Sequence, residues 1–233
     1  MGRGTMMPLH SVGALTAPAE DYLKAIYDIE RAAPGESVAT TELAQRLAIA
    51  PASVTGMVKR LADQGLIDHE PYRGVRLTGR GRLAALRTLR RHRVIEAYLA
   101  QALGYAWDRV HDEAERLEHA ASDELVDRMA AAIGEPTVDP HGAPIPTRDG
   151  GIAEEFAIKT LGDLREGERA RVARVSDEDA QRLRYLGSLG IVPGAIVEVL
   201  QRAPYGGPIA VLADGTPRQI GPELAAQVIV GPA

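Results

Sequence analysis

Apolar residues recur at helical spacing through the first 133 positions of the chain. The pattern predicts helices over residues 18–33, 42–47, 51–64, 81–103, 107–120 and 122–133. After the third of these, Leu66 and Ile67, a turn at residues 72–74 and a run at 75–77 predict a β-hairpin. Two helices joined by a short turn and followed by a hairpin are typical of a winged helix-turn-helix domain.

The composition changes beyond residue 134. Residues 134–151 contain four Pro and four Gly, which indicates a linker. Short β-rich runs at 169–175, 196–202, 209–212 and 227–230, with one helix near 179–189, then predict a small SH3-like β-barrel. We therefore expect a mainly α protein with a small β part, divided into a disordered tail (1–16), a winged helix-turn-helix domain (17–80), a helical domain (81–138), a linker (139–155) and an SH3-like domain (156–233).

Charge is unevenly distributed along the chain. The net charge of −5 argues mildly against a nucleic-acid binder, but residues 51–93 carry ten Lys or Arg against three Asp or Glu. Residues 111–139 reverse the balance, with nine acidic residues against two basic ones. A basic region suits phosphate binding, and an acidic region with histidines suits a hard divalent cation. Two ordinary solvated faces would give the same distribution of charge. The choice between these interpretations therefore depends on the sequence motifs.

Composition also disfavours several classes of protein. The absence of cysteine excludes disulfides and thiolate metal sites. No apolar run is long enough for a membrane span, and residues 1–16 lack the apolar stretch of a signal peptide. We therefore expect a cytoplasmic protein with no membrane partner.

The second helix of the helix-turn-helix pair is the candidate DNA-reading element. Its N-terminal end normally meets base edges in the major groove, and here that end begins at Pro51. Small polar side chains at this end can contact bases, and basic residues further along the helix and in the hairpin suit phosphates. The candidate contacts are Thr40, Pro51, Ser53, Thr55, Lys59, Arg60 and Arg73. Winged helices also mediate protein–protein contacts, which stays an alternative.

Metal-competent side chains share one face of the helix predicted at 107–120. His111, Glu115, Glu118 and His119 fall at offsets 0, +4, +7 and +8, within an arc of about 100°. His92 and Glu96 form a second i, i+4 pair on the preceding helix. Imidazole and carboxylate at ligand spacing on two adjacent helices indicate a divalent metal site, although a solvated charged stripe is the alternative.

Three segments of the chain, AEDYLKAIYDIE, RRHRVIEAYL and VHDEAERLEHAASDEL, resemble the diphtheria toxin repressor family of metal-dependent regulators. The DPHGAPIP segment is similar to that family's linker, and the resemblance spans roughly residues 17–230. It implies a metal-dependent transcriptional repressor that binds palindromic operators in double-stranded DNA as a homodimer. The candidate dimer seam is Leu117 with the row Leu125, Met129 and Ile133, and burial in the intrachain core is the alternative for these residues.

The resemblance also implies two metal sites per subunit. The primary, activating site would use Asp21 from the first helix with Glu115, Glu118 and His119. The ancillary site would use His92, Glu96 and His111, with Asp179 from the SH3-like domain and Asp177 as the fallback. Metal would then tie the DNA-binding half to the dimerisation half.

Two positions indicate which metal the chain uses. Iron-type members of the family carry Met where this chain has Asp21 and Cys where it has Glu115, and carboxylates at both positions resemble the manganese branch. Carboxylate oxygens are hard ligands that suit Mn²⁺, whereas sulfur favours later metals. Lys24 stands where manganese regulators with a closely coupled two-metal site have Glu, so we expect separated sites. Mn(II) is therefore the expected cofactor, with Fe(II), Co(II) or Zn(II) as alternatives.

Other functions remain to be weighed. An iron-responsive regulator of the same family is the main alternative. A metal-dependent hydrolase could use the same ligands, but it would have no use for a basic winged helix. A regulator that senses an organic ligand, or a metal-storage protein, is a further alternative. We predict no enzymatic activity, no catalytic residues and no organic ligand.

Overall fold

The computed structural model describes residues 15–70, 73–153, 159–176 and 179–233. The expected tail falls almost wholly outside these ranges, as do Tyr72 of the predicted turn, the fallback ligand Asp177 and the expected boundary at 155/156. The chain divides into two compact units, Met1–Thr88 and Leu89–Ala233. In the described ranges, no helix has the length and apolar character needed to cross a membrane.

The first unit is a three-helix domain with a hairpin. Its elements are α1 (Ala17–Ala32), α2 (Thr40–Arg46), α3 (Pro51–Asp63), β1 (Ile67–Glu70) and β2 (Gly74–Leu77), followed by the start of α4 (Gly79–Gln101). Leu23, Ile26, Leu43, Val54 and Leu61 are fully buried between the helices. The strands pair antiparallel from Ile67↔Leu77 to Glu70↔Gly74, as the hairpin prediction requires.

Two glycines allow close backbone contacts around this hairpin. A Cβ at Gly81 would lie 1.8 Å from the carbonyl oxygen of Leu66, so no side chain fits where α4 passes the start of β1. Gly74 has a φ of +96°, and its Cβ would lie 2.5 Å from the carbonyl oxygen of Val38. Val38 in turn pairs with Val75 of β2, which joins the hairpin to the segment before α2.

The second unit opens with the rest of α4, then α5 (Val110–Leu117) and α6 (Asp123–Ala132). Ser122 caps α6 by accepting a hydrogen bond from the backbone N–H of Leu125 at 3.2 Å. The expected linker packs along α4, where Arg90 donates to the carbonyl oxygen of Pro146 at 3.0 Å and Arg93 to that of Pro144 at 2.5 Å. The Pro/Gly segment is thus held by the arginines of α4.

The candidate dimer seam is partly exposed on this unit. The exposed fraction is 38% for Leu117 and 45% for Leu125, which is high for large apolar residues. Met129 and Ile133 pack instead against the intrachain core around Val94. Leu117 and Leu125 are therefore the more exposed of the four, whereas Met129 and Ile133 are half-buried.

The second unit ends in a six-stranded antiparallel sheet in the order β3-β8-β4-β5-β6-β7. Its elements are β3 (Lys159–Thr160), a 3₁₀ turn (Leu161–Asp163), β4 (Arg169–Val175), α7 (Ala180–Ser188), β5 (Ile196–Arg202), β6 (Ile209–Ala213), β7 (Thr216–Ile220), α8 (Pro222–Ala225) and β8 (Val228–Gly231). Alternate residues such as Val172, Val197 and Val211 face one buried core. Among the described residues, β3 and β7 are the two edges of the sheet and do not pair with each other, so the expected barrel is an open one.

Candidate metal centre and DNA-binding surface

Helix α3 separates its apolar residues from its polar ones. Val54, Val58 and Leu61 are buried against the first unit's core. The opposite face is exposed and carries the predicted DNA contacts, namely Pro51, Ser53, Thr55, Lys59 and Arg60. Pro51 is at the first helical position, as expected, and Thr40 is half-buried at the start of α2. The packing of α3 therefore leaves these side chains accessible.

The hairpin carries two arginines with different surroundings. Arg73 is exposed and forms a salt bridge of 3.2 Å with Glu70. Arg76 donates a hydrogen bond to Ser37 Oγ at 3.0 Å and a second to the carbonyl oxygen of Gly35, so it ties the hairpin to the loop after α1. Of the two, Arg73 is the one suited to a phosphate contact.

A cluster of imidazoles and carboxylates lies between α4 and α5. The ligand atoms of His92, His111 and Glu115 lie within 4.8 Å of one another. His92 Nδ1 is 2.6 Å from Glu118 Oε2, and His119 Nε2 is 3.4 Å from Glu118 Oε1. We call these five residues, His92, His111, Glu115, Glu118 and His119, the first cluster. The structure therefore brings together the metal-competent face of α5 and His92 of α4.

Glu96 lies beside the first cluster and faces three histidines. Its Oε1 is 3.1 Å from His92 Nε2, 3.4 Å from His111 Nδ1 and 3.8 Å from His141 Nδ1. Burial by itself raises the pKa of Glu96, but the nearby imidazoles outweigh burial and hold that pKa well below its ordinary value. Glu96 is therefore a buried carboxylate that stays ionised only with positive charge beside it.

A second cluster consists of Glu96, Asp139 and His141, all of them buried and with ligand atoms within 4.8 Å of one another. Asp139 Oδ1 accepts hydrogen bonds from the backbone N–H groups of His141 and Ala143, at 2.8 and 2.9 Å. Burial, followed by the charge of Glu96, raises the pKa of Asp139 to about 6, although Arg93 and His141 oppose the shift. Two neighbouring carboxylates are thus desolvated together.

The second cluster has the features of a cation site. Glu96 Oε2, Asp139 Oδ2 and His141 Nδ1 are buried and, among the described residues, have no hydrogen-bond partner. Unpartnered buried polar atoms are costly, and oxygen and imidazole donors converging on one point are suited to a divalent ion. The donor set therefore fits a hard metal ion.

Sequence reasoning missed Asp139 and His141 as candidate ligands. Both lie in the DPHGAPIP segment, which was interpreted only as a linker. The available signal was an Asp and a His two residues apart within a segment otherwise made of apolar residues, Gly and Pro. A solvated linker has no need of a histidine between prolines.

Two further predicted ligands are on other elements of the chain, Asp179 at the start of α7 and Asp21 on α1. Asp179 caps α7, where its Oδ1 accepts from the backbone N–H groups of Gln181 and Arg182 at 2.8 and 3.2 Å. It does not belong to either cluster of the second unit. Asp21 is half-buried on α1 in the first unit. The roles of both residues therefore remain predictions.

A winged helix with an exposed basic face and a helical domain with histidine–carboxylate clusters define the class of metal-dependent winged-helix regulators. Comparison with known protein families supports this class. Residues 14–75 match the iron dependent repressor N-terminal DNA binding domain, residues 78–147 the iron dependent repressor metal binding and dimerisation domain, and residues 159–232 the FeoA domain.

Similar proteins narrow the class to a family. The chain is 32% identical to the diphtheria toxin repressor of Corynebacterium efficiens over 80% of this chain and 84% of the relative. It is 32% identical to the iron-dependent repressor IdeR of Mycobacterium tuberculosis over 83% of this chain and 87% of the relative. The chain belongs to the diphtheria toxin repressor family of metal-dependent transcriptional repressors.

A solved structure titled manganese-dependent transcriptional repressor complex with manganese is also similar. It is 41% identical to this chain, with a TM-score of 0.84, covering 92% of this chain and all of the other. The named relatives are repressors rather than enzymes, which confirms the prediction that this chain is not an enzyme. The prediction of DNA binding as a homodimer is confirmed at the level of the domains.

Proposed function

We propose that the chain is a Mn(II)-activated homodimeric repressor that binds palindromic operators of metal-homeostasis genes, such as those for manganese uptake, in the cytoplasm. The observation that carries the choice of metal is the donor set. Both clusters of the second unit offer only carboxylate and imidazole groups, and the chain has no cysteine. Carboxylate oxygens are hard donors that suit Mn²⁺, and both clusters lack the sulfur ligands that favour later transition metals.

The mechanism rests on charge. Within the first cluster, Glu115 and Glu118 bring two carboxylates to α5 and its end, and His92 reaches them from α4. A bound divalent ion would neutralise these carboxylates and hold the helices together. Asp21, as the resemblance implies, would join the same ion from the DNA-binding unit and fix the spacing of the two recognition helices at about 34–36 Å, one turn of DNA. Because binding is reciprocal, operator DNA should tighten metal binding.

The second cluster would hold a further ion through Glu96, Asp139 and His141. This differs from the ancillary set His92, Glu96 and His111, although Glu96 belongs to both. Because both histidines of the ancillary set belong to the first cluster and contact Glu96, Glu96 is the residue through which the two clusters would influence each other. We propose separate ions at the two clusters, without an organic effector.

The iron-responsive alternative is favoured by one observation, namely that the curated relatives named above include an iron-dependent repressor. Those names describe the relatives themselves, and sulfur ligands are absent from the described clusters of this chain. The two functions differ in which ion activates DNA binding, not in the residues that read the DNA. A single titration therefore separates them.

The test is DNA binding titrated with Mn²⁺ and Fe²⁺ in parallel under anaerobic conditions. The operator is first selected from a random duplex library with the full-length protein and MnCl₂. We expect tight binding with Mn²⁺, weaker activation at the same free concentration of Fe²⁺, and loss of binding with a chelator. Equal affinity with and without the chelator would contradict a metal-activated repressor, and equal response to both metals would contradict the manganese assignment alone.

A further inference from the structure

The only tryptophan of the chain lies between the second cluster and the C-terminal sheet domain. Trp107 is in the turn between α4 and α5, and its carbonyl oxygen is 2.8 Å from His141 Nε2. The two rings also lie near each other, with centroids 5.9 Å apart and planes tilted by 32°. Trp107 therefore contacts His141 through both its backbone and its side chain.

This contact determines which nitrogen of His141 is available to a metal. A carbonyl oxygen can only accept a hydrogen bond, so Nε2 of His141 must carry the proton. In neutral imidazole, Nδ1 then presents its lone pair, and it is this buried atom that lies 3.8 Å from Glu96 Oε1 without a hydrogen-bond partner among the described residues. Fixing the tautomer of a ligating histidine through its other nitrogen is a recurrent way to orient a ligand.

The other side of Trp107 packs on the C-terminal domain. Its side chain contacts the core of the sheet domain, and a Cβ added at Gly187 of α7 would lie 3.4 Å from the indole ring. The neighbouring Asp108 forms a salt bridge of 3.0 Å with Arg184, also on α7. The turn that holds Trp107 is therefore attached to α7 at two adjacent residues.

The segment of His141 is attached to the same domain. The backbone N–H of Val175, at the end of β4, donates to the carbonyl oxygen of His141 at 3.0 Å. A Cβ at Gly142 would lie 2.0 Å from the carbonyl oxygen of Ala173, so the segment passes against β4 with no room for a side chain. His141 is thus held between Trp107, which packs on the C-terminal domain, and β4, which belongs to that domain.

We propose that Trp107 is a positioning residue that couples docking of the C-terminal domain to metal binding at the second cluster. The inference rests on the proposed function, since it assumes that this cluster binds a divalent ion. When the C-terminal domain is docked, the indole holds the Trp107 carbonyl oxygen in hydrogen-bond contact with His141 Nε2, and Nδ1 then faces Glu96. When the domain is not docked, His141 can rotate or change tautomer. By reciprocity, metal at the second cluster tightens the docking.

Calorimetric titration of the full-length protein with MnCl₂ tests the coupling. Trp107→Ala should weaken binding at the second cluster about 10–100-fold, the usual cost of losing a partner that orients a ligand. It should change the affinity of the first cluster much less, because Trp107 contacts His141 of the second cluster. Trp107→Phe keeps an aromatic ring against Gly187 and should restore most of the affinity. The matched control is Tyr185→Ala, which removes an exposed aromatic side chain from the same helix.

Two further measurements separate positioning from general destabilisation. The imidazole ¹⁵N shifts of His141 should report the Nε2–H tautomer in the metal-free wild type and a mixture in Trp107→Ala. If Trp107→Ala does not fold, Gly187→Val is the substitute, because its side chain would press on the indole ring from α7. It should give the same selective loss of Mn²⁺ affinity at the second cluster. Tryptophan fluorescence titrated with ZnCl₂ should change in the wild type and in Glu118→Gln, but not in His141→Gln.

The outcomes are distinguishable. If His141→Gln leaves every Mn²⁺ affinity unchanged, the second cluster is not a metal site, and the inference fails together with that part of the proposed function. If His141→Gln removes one ion but folded Trp107→Ala keeps both wild-type affinities, only the coupling is wrong. Selective weakening of one ion in Trp107→Ala, with recovery in Trp107→Phe, supports the proposal.

Discussion

His92 and Glu118 are in direct contact across 26 residues of sequence, with His92 Nδ1 2.6 Å from Glu118 Oε2. The contact joins the middle of α4 to the residue directly after α5, and both side chains are almost completely buried. A buried carboxylate that meets an imidazole at this distance is held in one orientation before any metal arrives. The first cluster is therefore largely preorganised.

We predict that Glu118→Gln abolishes metal-activated DNA binding. The substitution keeps the volume of the side chain but removes a charged ligand from the first cluster. Mn²⁺ affinity at the first cluster should fall by about 10–100-fold or more, because losing a residue that only orients a ligand already costs about that much. The matched control is Glu113→Gln on the same helix, where Glu113 pairs with Arg116 at 3.0 Å. Equal Mn²⁺-dependent gel shifts for both variants would contradict the role of Glu118.

Much of the fold follows from the pattern of apolar residues. The predicted strands at 169–175 and 196–202 are observed as β4 and β5 without change, since alternate residues of both face the core. Strand β7 was not predicted because its first four residues are exposed and include Pro217, so no alternation marks an edge strand of this kind. Its signal was the Asp214-Gly215 pair, which has positive φ at both residues and forms the tight turn after β6.

The candidate site was predictable only within single helices. The spacing of His111, Glu115, Glu118 and His119 places them on one face of α5 and its end, and the structure gathers them with His92. The second cluster depends on a segment without regular structure, whose path over α4 is determined by Arg90 and Arg93 binding proline carbonyls. Helical periodicity carries no information about such a path, so Asp139 and His141 were missed.

Gly81 should be intolerant of any side chain. Gly81→Ala places a Cβ against the carbonyl of Leu66, and the resulting overpacking should lower the free energy of unfolding by about 1–3 kcal/mol. Gly79→Ala is the matched control, because a Cβ two residues earlier on the same helix meets nothing within 4 Å. Chemical denaturation of both variants measures the difference. Equal stability would mean that α4 does not approach β1 this closely.

Arg60 should contact DNA phosphate rather than a base. It is exposed on the face of α3 opposite Val58 and Leu61. Arg60→Ala should weaken binding to all duplexes alike and reduce the slope of log affinity against log salt by about 1. Arg128→Ala, which removes an exposed arginine from α6, should change neither quantity. A change in base preference for Arg60→Ala would contradict a phosphate contact.

Asp139→Asn should stabilise the metal-free protein in a pH-dependent way. Because burial and Glu96 raise the pKa of Asp139 to about 6, the native state favours the protonated form, and this favourable contribution is lost as pH rises from about 4 through 6. Asn cannot ionise, so at pH 8 the variant should gain about 1–3 kcal/mol over wild type, with little gain at pH 4. Thermal melts in chelator measure this, and a gain independent of pH would contradict it. The same variant should also no longer bind a metal ion at the second cluster.

The last prediction concerns the choice of metal. If the carboxylates of Asp21 and Glu115 set specificity, then Asp21→Met with Glu115→Cys should shift the activating ion from Mn²⁺ towards Fe²⁺ or Co²⁺, because sulfur prefers later metals. Mn²⁺ affinity should also fall, since two anionic oxygen ligands are lost. The measurement is operator affinity against free metal concentration for wild type and double variant. Glu115→Ala should impair the response to every metal, because it deletes a ligand without replacing it. If the double variant keeps the wild-type preference for Mn²⁺, these two positions do not determine the metal.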